Sequence, residues 1–205
     1  MSESIQNSII AVAGMKGHGK STWLRANMTE ERSLAIIDTL GEHRDWCPMC
    51  PAKEMDEQVR MLAEPPEHFQ WSFMVSPHHK DENGNNLHFE SLCSAAMLAG
   101  EMTLVIEEVD HYASANFISP SLQVLVDYGR HKLVNVVWLT RNLSVVPRIL
   151  TSQTDLFVLF KQQEPRYLEA MEDRFTEEIV DAVEALPQFE YITVDREKNW
   201  ERHKL

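Results

Sequence analysis

Nine residues near the amino end of the chain read Gly14-Met15-Lys16-Gly17-His18-Gly19-Lys20-Ser21-Thr22. They match the phosphate-binding P-loop pattern G-x-x-x-x-G-K-[ST] from Gly14 to Ser21. Because glycine carries no Cβ, backbone N–H groups in such a loop can lie directly against a phosphate chain. A lysine at this position reaches the β- and γ-phosphates, and the following hydroxyl is a ligand for Mg²⁺. We therefore expect residues 14–22 to hold a triphosphate, with Lys20 on the phosphates and Ser21 on the metal.

The flanks of this motif are those that a working P-loop requires. Residues 9–13 form a short apolar run typical of a buried strand, and residues 21–28 are a plausible helix. A helix that begins at the loop directs its positive dipole end at the bound anion. The alternative is a glycine-rich turn that binds nothing, but the order of strand, loop and helix favours the functional interpretation.

Length and composition restrict the class of protein. A chain of 205 residues suits a single α/β domain over 1–205, with a core at about 8–194 and an exposed tail at 195–205. No apolar run is long enough for a transmembrane helix, and the polar N-terminus lacks a signal-peptide core. Three cysteines indicate a reducing compartment. The formal net charge of −13 does not favour DNA binding, although a ring can be acidic outside and basic in its pore.

A second motif lies in the middle of the chain. Residues 103–106 form an apolar strand that is followed directly by Glu107 and Glu108. This is the arrangement of a Walker B motif, in which the first acid holds Mg²⁺ through water and the second orients or deprotonates the attacking water. Neighbouring glutamates on a surface are usually only solvated. The preceding strand and the P-loop upstream favour the catalytic interpretation here.

The rest of the chain alternates between apolar and amphipathic segments. Further strands are predicted at 34–37, 70–75, 134–140 and 155–161, with a final, antiparallel edge strand at 189–194. Helices are predicted at 54–63, 88–98, 121–128, 164–175 and 176–186. This series is what we expect of an α/β protein with a mostly parallel central sheet and one antiparallel edge.

Two features leave alternatives open. Asp38 follows the strand at 34–37, so it is either near the nucleotide or the cap of a turn. His43, Cys47 and Cys50 have the spacing H-x3-C-x2-C, but a zinc site needs four ligands and no second C-x-x-C follows. We prefer the interpretation that the two cysteines are ordinary thiols to the interpretation that they bind a metal. If the chain lines a pore, the polar loops at 76–86 and 112–120 are the candidates, by elimination only.

Several segments together resemble a known family. In chain order they are the P-loop, VIEEVDHY at 105–112, YGRHKLVNVVWLTRN at 128–142, VPRILTSQTDL at 146–156 and EPRYL at 164–168. The combination resembles the HerA/FtsK superfamily of DNA-pumping ATPases. Within that superfamily, the small size is similar to that of the genome-packaging ATPases of membrane-containing, double-jelly-roll viruses and phages. The resemblance covers about residues 8–194 and implies a RecA/FtsK-like P-loop NTPase fold, a three-layer α/β sandwich.

The resemblance also implies roles for individual residues. Lys20 and Ser21 bind phosphate and Mg²⁺, Glu107 is the metal-side acid and Glu108 is the catalytic glutamate. Arg130 matches the arginine that the family sends to the γ-phosphate of a neighbouring subunit, although an arginine capping a helix end is the simpler interpretation.

The chain departs from the family pattern at two positions. The metal-side acid is usually aspartate, and residues 140–142, which match the γ-phosphate sensor, carry Arg141 where the family often has glutamine. Arg141 is therefore a second candidate for phosphate contact and for the arginine finger. The chain shows no additional barrel or anchor, which argues against a HerA-type repair factor or an FtsK-type division protein.

The leading hypothesis is an ATP- and Mg²⁺-dependent motor that translocates double-stranded DNA into a viral procapsid. Such a motor would form a homo-oligomeric ring, a pentamer or a hexamer, in the host cytoplasm or on the virion, with a capsid vertex or viral membrane proteins as partners. The alternative, which the net charge favours, is an ATP-dependent assembly or switch protein that moves no DNA. A small-molecule kinase is weaker, because residues 112–132 contain a single arginine where a kinase lid needs several.

Overall fold

A computed structural model describes residues 8–205. The strands in this range are β1 (Ile9–Ala13), β2 (Ser33–Ile37), β3 (Phe69–Phe73), β4 (Met102–Ile106), β5 (Ala113–Ser114), β6 (Phe117–Ile118), β7 (Val134–Thr140), β8 (Leu156–Phe160), β9 (Glu190–Asp195) and β10 (Trp200–Lys204). The α-helices are α1 (Lys20–Met28), α2 (Met55–Ala63), α3 (Leu87–Ala99), α4 (Pro120–Tyr128), α5 (Arg148–Gln153), α6 (Pro165–Glu172) and α7 (Glu177–Glu184). None of the helices in this range is long and apolar enough to cross a lipid bilayer.

Eight of the strands form one sheet in the order β10-β9-β8-β1-β7-β4-β2-β3. The six strands from β8 to β3 are parallel, and β9 and β10 are antiparallel to their neighbours. The prediction of a mostly parallel sheet with an antiparallel edge is confirmed. Because the strands from β8 to β3 run in one direction, the segments that follow them emerge at the same edge of the sheet.

The sheet is covered on both faces, as a parallel sheet requires. In β1, Ile9, Ala11 and Ala13 pack into one core cluster, whereas Ile10 and Val12 pack into the other. The first cluster takes in the buried sides of α2 to α7, and the second takes in those of α1. This is the predicted three-layer sandwich, in which alternate residues of each central strand face opposite layers.

Local sequence explains where several helices begin. Asn86 precedes α3, and its side-chain oxygen accepts a hydrogen bond from the backbone N–H of Phe89 at 3.1 Å. Ser119 does the same for Leu122 at the start of α4, where Pro120 occupies the first turn. Both caps satisfy backbone donors that the helix itself cannot pair, and proline at this position costs no hydrogen bond.

The structure corrects the sequence prediction at one edge of the sheet. β9 is not the edge strand, because residues 200–204 form β10 and pair with it in antiparallel register from Trp200–Val194 to Lys204–Glu190. The side chains of β10 are exposed or half-buried and carry mixed charges. The segment therefore has no apolar run that would predict a strand. The short hairpin of β5 and β6 and the six-residue helix α5 were also not predicted.

Candidate active site

The carboxyl ends of β1, β2, β4 and β7 meet around one cavity of about 370 Å³. The register places Ala13 beside Thr140 and Ile37 beside Ile106, so the segments that follow these residues come together. The residues that line the cavity are Lys16, Gly17, Gly19, Lys20, Ser21, Thr22, Leu40, Glu42, Glu107, Glu108, Leu139, Thr140, Arg141 and Phe189. The P-loop and the two acids of the Walker B motif therefore share one pocket.

The P-loop is held against the strands beside it. The backbone N–H of Gly14 donates to Thr140 O at 3.3 Å, and that of Met15 donates to Lys161 O at 3.0 Å. Gly14 has a φ of +150°, and a Cβ there would lie 2.5 Å from the Cβ of Phe160. The loop can lie this close to the end of β8 only because this residue is glycine. Met15 and His18 do not line the cavity but belong to the loop that shapes it.

Lys20 begins α1 and folds back over the loop. Its Nζ donates to the carbonyl oxygens of Gly14 at 2.7 Å and Met15 at 3.2 Å. Burial, together with the nearby positive charge of Arg141, lowers the pKa of Lys20 to about 8, although the negative charges of Glu107 and Glu108 act in the opposite direction. A lysine whose charge is this poorly solvated gains from an anion, and the loop provides the place for one.

Glu107 is buried beside a histidine that the sequence analysis had considered only as a metal ligand. His43 Nε2 lies 2.7 Å from Glu107 Oε1, and both side chains are almost fully buried. Burial by itself would lower the pKa of His43, but contact with Glu107 and the charge of Asp38 outweigh burial and raise it. The pair fixes the position of the Glu107 carboxylate at the cavity wall.

Asp38 holds the loop that carries His43. Its Oδ1 accepts the backbone N–H groups of Leu40, Gly41 and Glu42, at 3.2, 2.7 and 3.1 Å, and its Oδ2 accepts that of His43 at 3.0 Å. The structure therefore shows Asp38 as a turn cap, and its carboxylate also lies within 4.8 Å of the ligand atoms of His43 and Glu107. Through that turn, Asp38 also orders Leu40 and Glu42 at the cavity.

Glu108 has both carboxylate oxygens engaged. One is in ion-pair contact with Arg141, and the other lies 3.1 Å from His111 Nε2. Glu108 itself adopts a left-handed backbone conformation, with φ +48°, immediately after β4. This conformation turns its side chain toward the cavity that Arg141 also lines.

The segment predicted as a γ-phosphate sensor, residues 140–142, also lies at the cavity. Thr140 is buried, and its hydroxyl donates to Asp110 Oδ1 at 3.2 Å and accepts the backbone N–H of Asn142 at 3.1 Å. Arg141 is half-exposed and directed at Glu108. These contacts fix the backbone at the end of β7 while leaving the Arg141 side chain accessible.

Arg130 lies at the other end of the sheet. It precedes the amino end of β7, and its Nη2 donates to Asp155 Oδ2 at 2.7 Å and to Gln153 O at 3.1 Å. Asp155 also pairs with Arg196 and accepts the backbone N–H of Ile9. Arg130 does not line the cavity of its own chain, so it can act on a nucleotide only in a neighbouring subunit.

The three cysteines do not form a metal site with His43. Cys47 packs in the core cluster on the α1 face of the sheet, whereas Cys50 and Cys93 pack in the cluster on the other face. Burial raises the pKa of all three thiols, that of Cys47 to about 12, so they remain protonated. The preferred interpretation, that they are ordinary thiols, fits this placement.

The oxygen donors at the cavity suit magnesium. Ser21 and Glu107 line the same pocket as Lys20. Mg²⁺ is commonly held by one or two protein oxygens together with phosphate oxygens and water. The residues present therefore fit a magnesium nucleotide.

Sequence reasoning missed three residues at this site. These residues are His43, His111 and Phe189. His43 contacts Glu107, which is 64 residues away in the sequence, and His111 contacts Glu108, three residues away. Phe189 contacts His18, which is 171 residues away. Only His111 had a local signal, since it follows Glu108 by one helical turn. The order of strands in the sheet brings His43 to Glu107 and Phe189 to the cavity, and no short motif records that order.

No protein-family model matches the sequence, and no curated protein matches it. Among solved structures, the genome packaging NTPase B204 from Sulfolobus turreted icosahedral virus 2, in complex with ATP-gammaS, is similar, with a TM-score of 0.79, 20% identity and 97% of each chain covered. B204, the DNA-packaging ATPase from Sulfolobus turreted icosahedral virus, gives a TM-score of 0.73 at 17% identity, again over 97% of each chain. VirB4 of Thermoanaerobacter pseudethanolicus gives 0.64 at 12% identity, over 96% of this chain and 88% of that one. The chain therefore has the fold of these proteins, which is the P-loop NTPase sandwich that the sequence resemblance implied.

Proposed function

We propose that this protein is an ATPase that translocates double-stranded DNA, as a homo-oligomeric ring, into a viral procapsid. The observation that carries the proposal is that the P-loop and the acids Glu107 and Glu108 line one cavity. A nucleoside triphosphate bound there would have its phosphates, its metal and its attacking water within reach of the chain's own groups. The fold shared with two genome-packaging proteins supports the further step to packaging.

The residues divide the chemistry among them. The backbone of residues 14–19 and the Lys20 ammonium bind and orient the phosphates, and anion binding offsets the burial of the Lys20 charge. Ser21 and Glu107 would hold Mg²⁺, which neutralises charge that develops on the phosphates. His43 keeps the Glu107 carboxylate in place.

Glu108 is the group that would accept a proton from water. Arg141 and His111 each contact one of its two oxygens, and we expect the Arg141 contact to open when the attacking water binds. Arg141 is then free to turn to the γ-phosphate. Arg130 would contribute from a neighbouring subunit, because its own chain holds it at the far end of the sheet.

The direct test is nucleotide turnover by the wild-type chain and by Lys20→Ala. We expect Mg²⁺-dependent release of phosphate from ATP by the wild type, and loss of both ATP binding and hydrolysis in the variant. Normal turnover by Lys20→Ala would remove the P-loop from the reaction. Lys53→Ala is a suitable comparison for the loss of one charge, since Lys53 is exposed and does not line the cavity.

The second candidate function is an ATP-dependent assembly or switch protein, and the net charge of −13 favours it. Duplex DNA distinguishes the two. A DNA motor should hydrolyse ATP faster with DNA, and the stimulation should fall steeply with salt, because each phosphate contact releases counterions. A switch protein would show no such dependence.

A further inference from the structure

One side of the cavity is formed by a turn that the catalytic residues do not explain. Residues 187–189 lie in the connection from α7 to β9, and Phe189 lines the same cavity as the acids Glu107 and Glu108. The chain position of this turn is remote from the P-loop, yet its contacts with that loop are direct. The Phe189 N–H donates to His18 O at 3.2 Å, and Gln188 Nε2 donates to Gly17 O at 2.8 Å.

The backbone of Phe189 is in an unfavourable conformation. Its φ is +62°, in the left-handed region, where a bulky side chain costs about 1–2 kcal/mol. Hydrogen bonds at both backbone groups of Phe189 hold this conformation. The N–H donates to His18 O, as described above, and the carbonyl oxygen accepts the N–H of Leu205 at 3.0 Å. A strained aromatic residue at the edge of a ligand cavity is an observation that calls for a function.

The Phe189 ring is placed against the P-loop but is not covered. A Cβ at Gly19 would lie 3.3 Å from Phe189 Cδ1 and 2.6 Å from Leu205 Cδ1, so the ring approaches the loop at a residue that must lack a side chain. Even so, 43% of Phe189 is exposed. The exposed part of the ring borders the cavity.

The order of strands predicts which part of a nucleotide lies there. β7 and β4 lie on one side of β1, and they deliver Arg141 and the two acids. β8 and β9 lie on the other side, where Phe189 is found. If the γ-phosphate lies near the acids, the phosphate chain crosses the P-loop and the nucleoside emerges on the side of Phe189.

We propose that Phe189 is the base-stacking residue of this site, and that the turn at 187–189 forms the nucleoside half of the pocket. The inference rests on the proposed function, since it assumes that the triphosphate is bound as described. Stacking on an aromatic face is tolerant of base identity, because every base presents a π-face. The Gln188 amide nitrogen donates to Gly17 O, so it is not available to recognise the base.

Calorimetric titration of the full chain with Mg-ATP and with inorganic triphosphate tests this inference. Because Phe189→Ala lacks the stacking contact, it should bind ATP about tenfold or more weakly than the wild type does. Its affinity for triphosphate should stay within about twofold of the wild-type value. Phe189→Trp should restore ATP binding. Tyr128→Ala, which removes an exposed aromatic ring at the other end of the sheet, should bind both ligands as the wild type does.

The outcomes separate this inference from the proposed function. Retained triphosphate binding shows that the Phe189→Ala chain is folded and that its P-loop is intact. If Phe189→Ala binds ATP as tightly as the wild type, or weakens ATP and triphosphate equally, Phe189 is not a stacking residue, while the ATPase proposal stands. If the wild type binds neither ligand, the proposed function fails and this inference fails with it.

Discussion

Glu108 and Glu101 are two glutamates at opposite ends of β4, and both have a φ of +48°. Only Glu108 lines the cavity, between Arg141 and His111. This difference makes Glu101 a matched control for the proposed role of Glu108. Both residues are acidic, both flank β4 and both have the same φ, but they differ in position relative to the P-loop.

We expect Glu108→Gln to bind ATP as the wild type does and to hydrolyse it at least about 100-fold more slowly, since general-base catalysis contributes this much. An amide keeps the shape of the carboxylate but cannot accept the proton of the attacking water. Phosphate release under saturating ATP measures the effect, and Glu101→Gln should hydrolyse ATP normally. Equal rates for the two variants would show that Glu108 is not the base.

At the level of single residues, the sequence predicts those parts of the site that a local pattern encodes. Lys20, Ser21, Glu107 and Glu108 belong to two motifs in which a strand and a turn place the side chain. His43 and Phe189 could not be predicted in this way. Their positions depend on Asp38 and on the antiparallel edge of the sheet, and neither is recorded in the few residues around them.

The sequence predicts strands well where they are buried, because a buried strand is an apolar run. β1, β4 and β7 are fully buried, and apolar runs in the sequence mark all three. β10 has exposed and half-buried positions and mixed charges, so it carries no apolar pattern. The two-residue strands β5 and β6 are too short for any periodicity. The missed elements are therefore those in which tertiary pairing, and not local sequence, determines the structure.

The turn after β2 offers a prediction for an element. Asp38 is fully buried and accepts four backbone N–H groups from residues 40–43. We expect Asp38→Ala to lower the free energy of unfolding by about 1–3 kcal/mol, because buried donors lose their acceptor. ATP affinity should fall as well, since the same turn places His43 against Glu107.

Asp45→Ala is the control for this change. Asp45 lies near the same turn, but it is 61% exposed, and its one ion pair within residues 8–205 is with Arg25, also exposed, at 2.7 Å. Exposed ion pairs contribute little, so the free energy of unfolding should change by under about 0.5 kcal/mol. Urea titrations of both variants measure the difference. Similar stabilities would mean that the turn does not depend on the Asp38 carboxylate.

For the molecule as a whole, the proposed role of Arg130 would require more than one copy of the chain. The cavity is at the carboxyl edge of the sheet, and Arg130 is at the amino edge. A chain acting alone cannot bring the two together without unfolding its sheet. In a ring, however, the amino edge of one subunit can face the cavity of the next. Arg130 would then leave its ion pair with Asp155 and contact the γ-phosphate bound by the neighbouring subunit.

Arg196 provides the comparison that separates this role from a structural one. Arg130 and Arg196 pair with the same carboxylate of Asp155, at 2.7 and 2.8 Å, and both are partly exposed. Loss of either ion pair should lower the free energy of unfolding by about 1 kcal/mol or less. If Arg130 is the finger, Arg130→Ala should also lose ATP hydrolysis by about 1,000-fold, as removal of such fingers does, whereas Arg196→Ala should retain it.

Mass measurement in solution completes this test. With an ATP analogue and duplex DNA, we expect the wild type and both variants to assemble, because the finger acts on the transition state and not on the contact between subunits. ATP binding should also persist in both variants. A wild type that hydrolyses ATP as a monomer, or equal hydrolysis by Arg130→Ala and Arg196→Ala, would assign Arg130 to the Asp155 ion pair alone. Arg141, which already lines the cavity of its own chain, would then be the remaining arginine for the γ-phosphate.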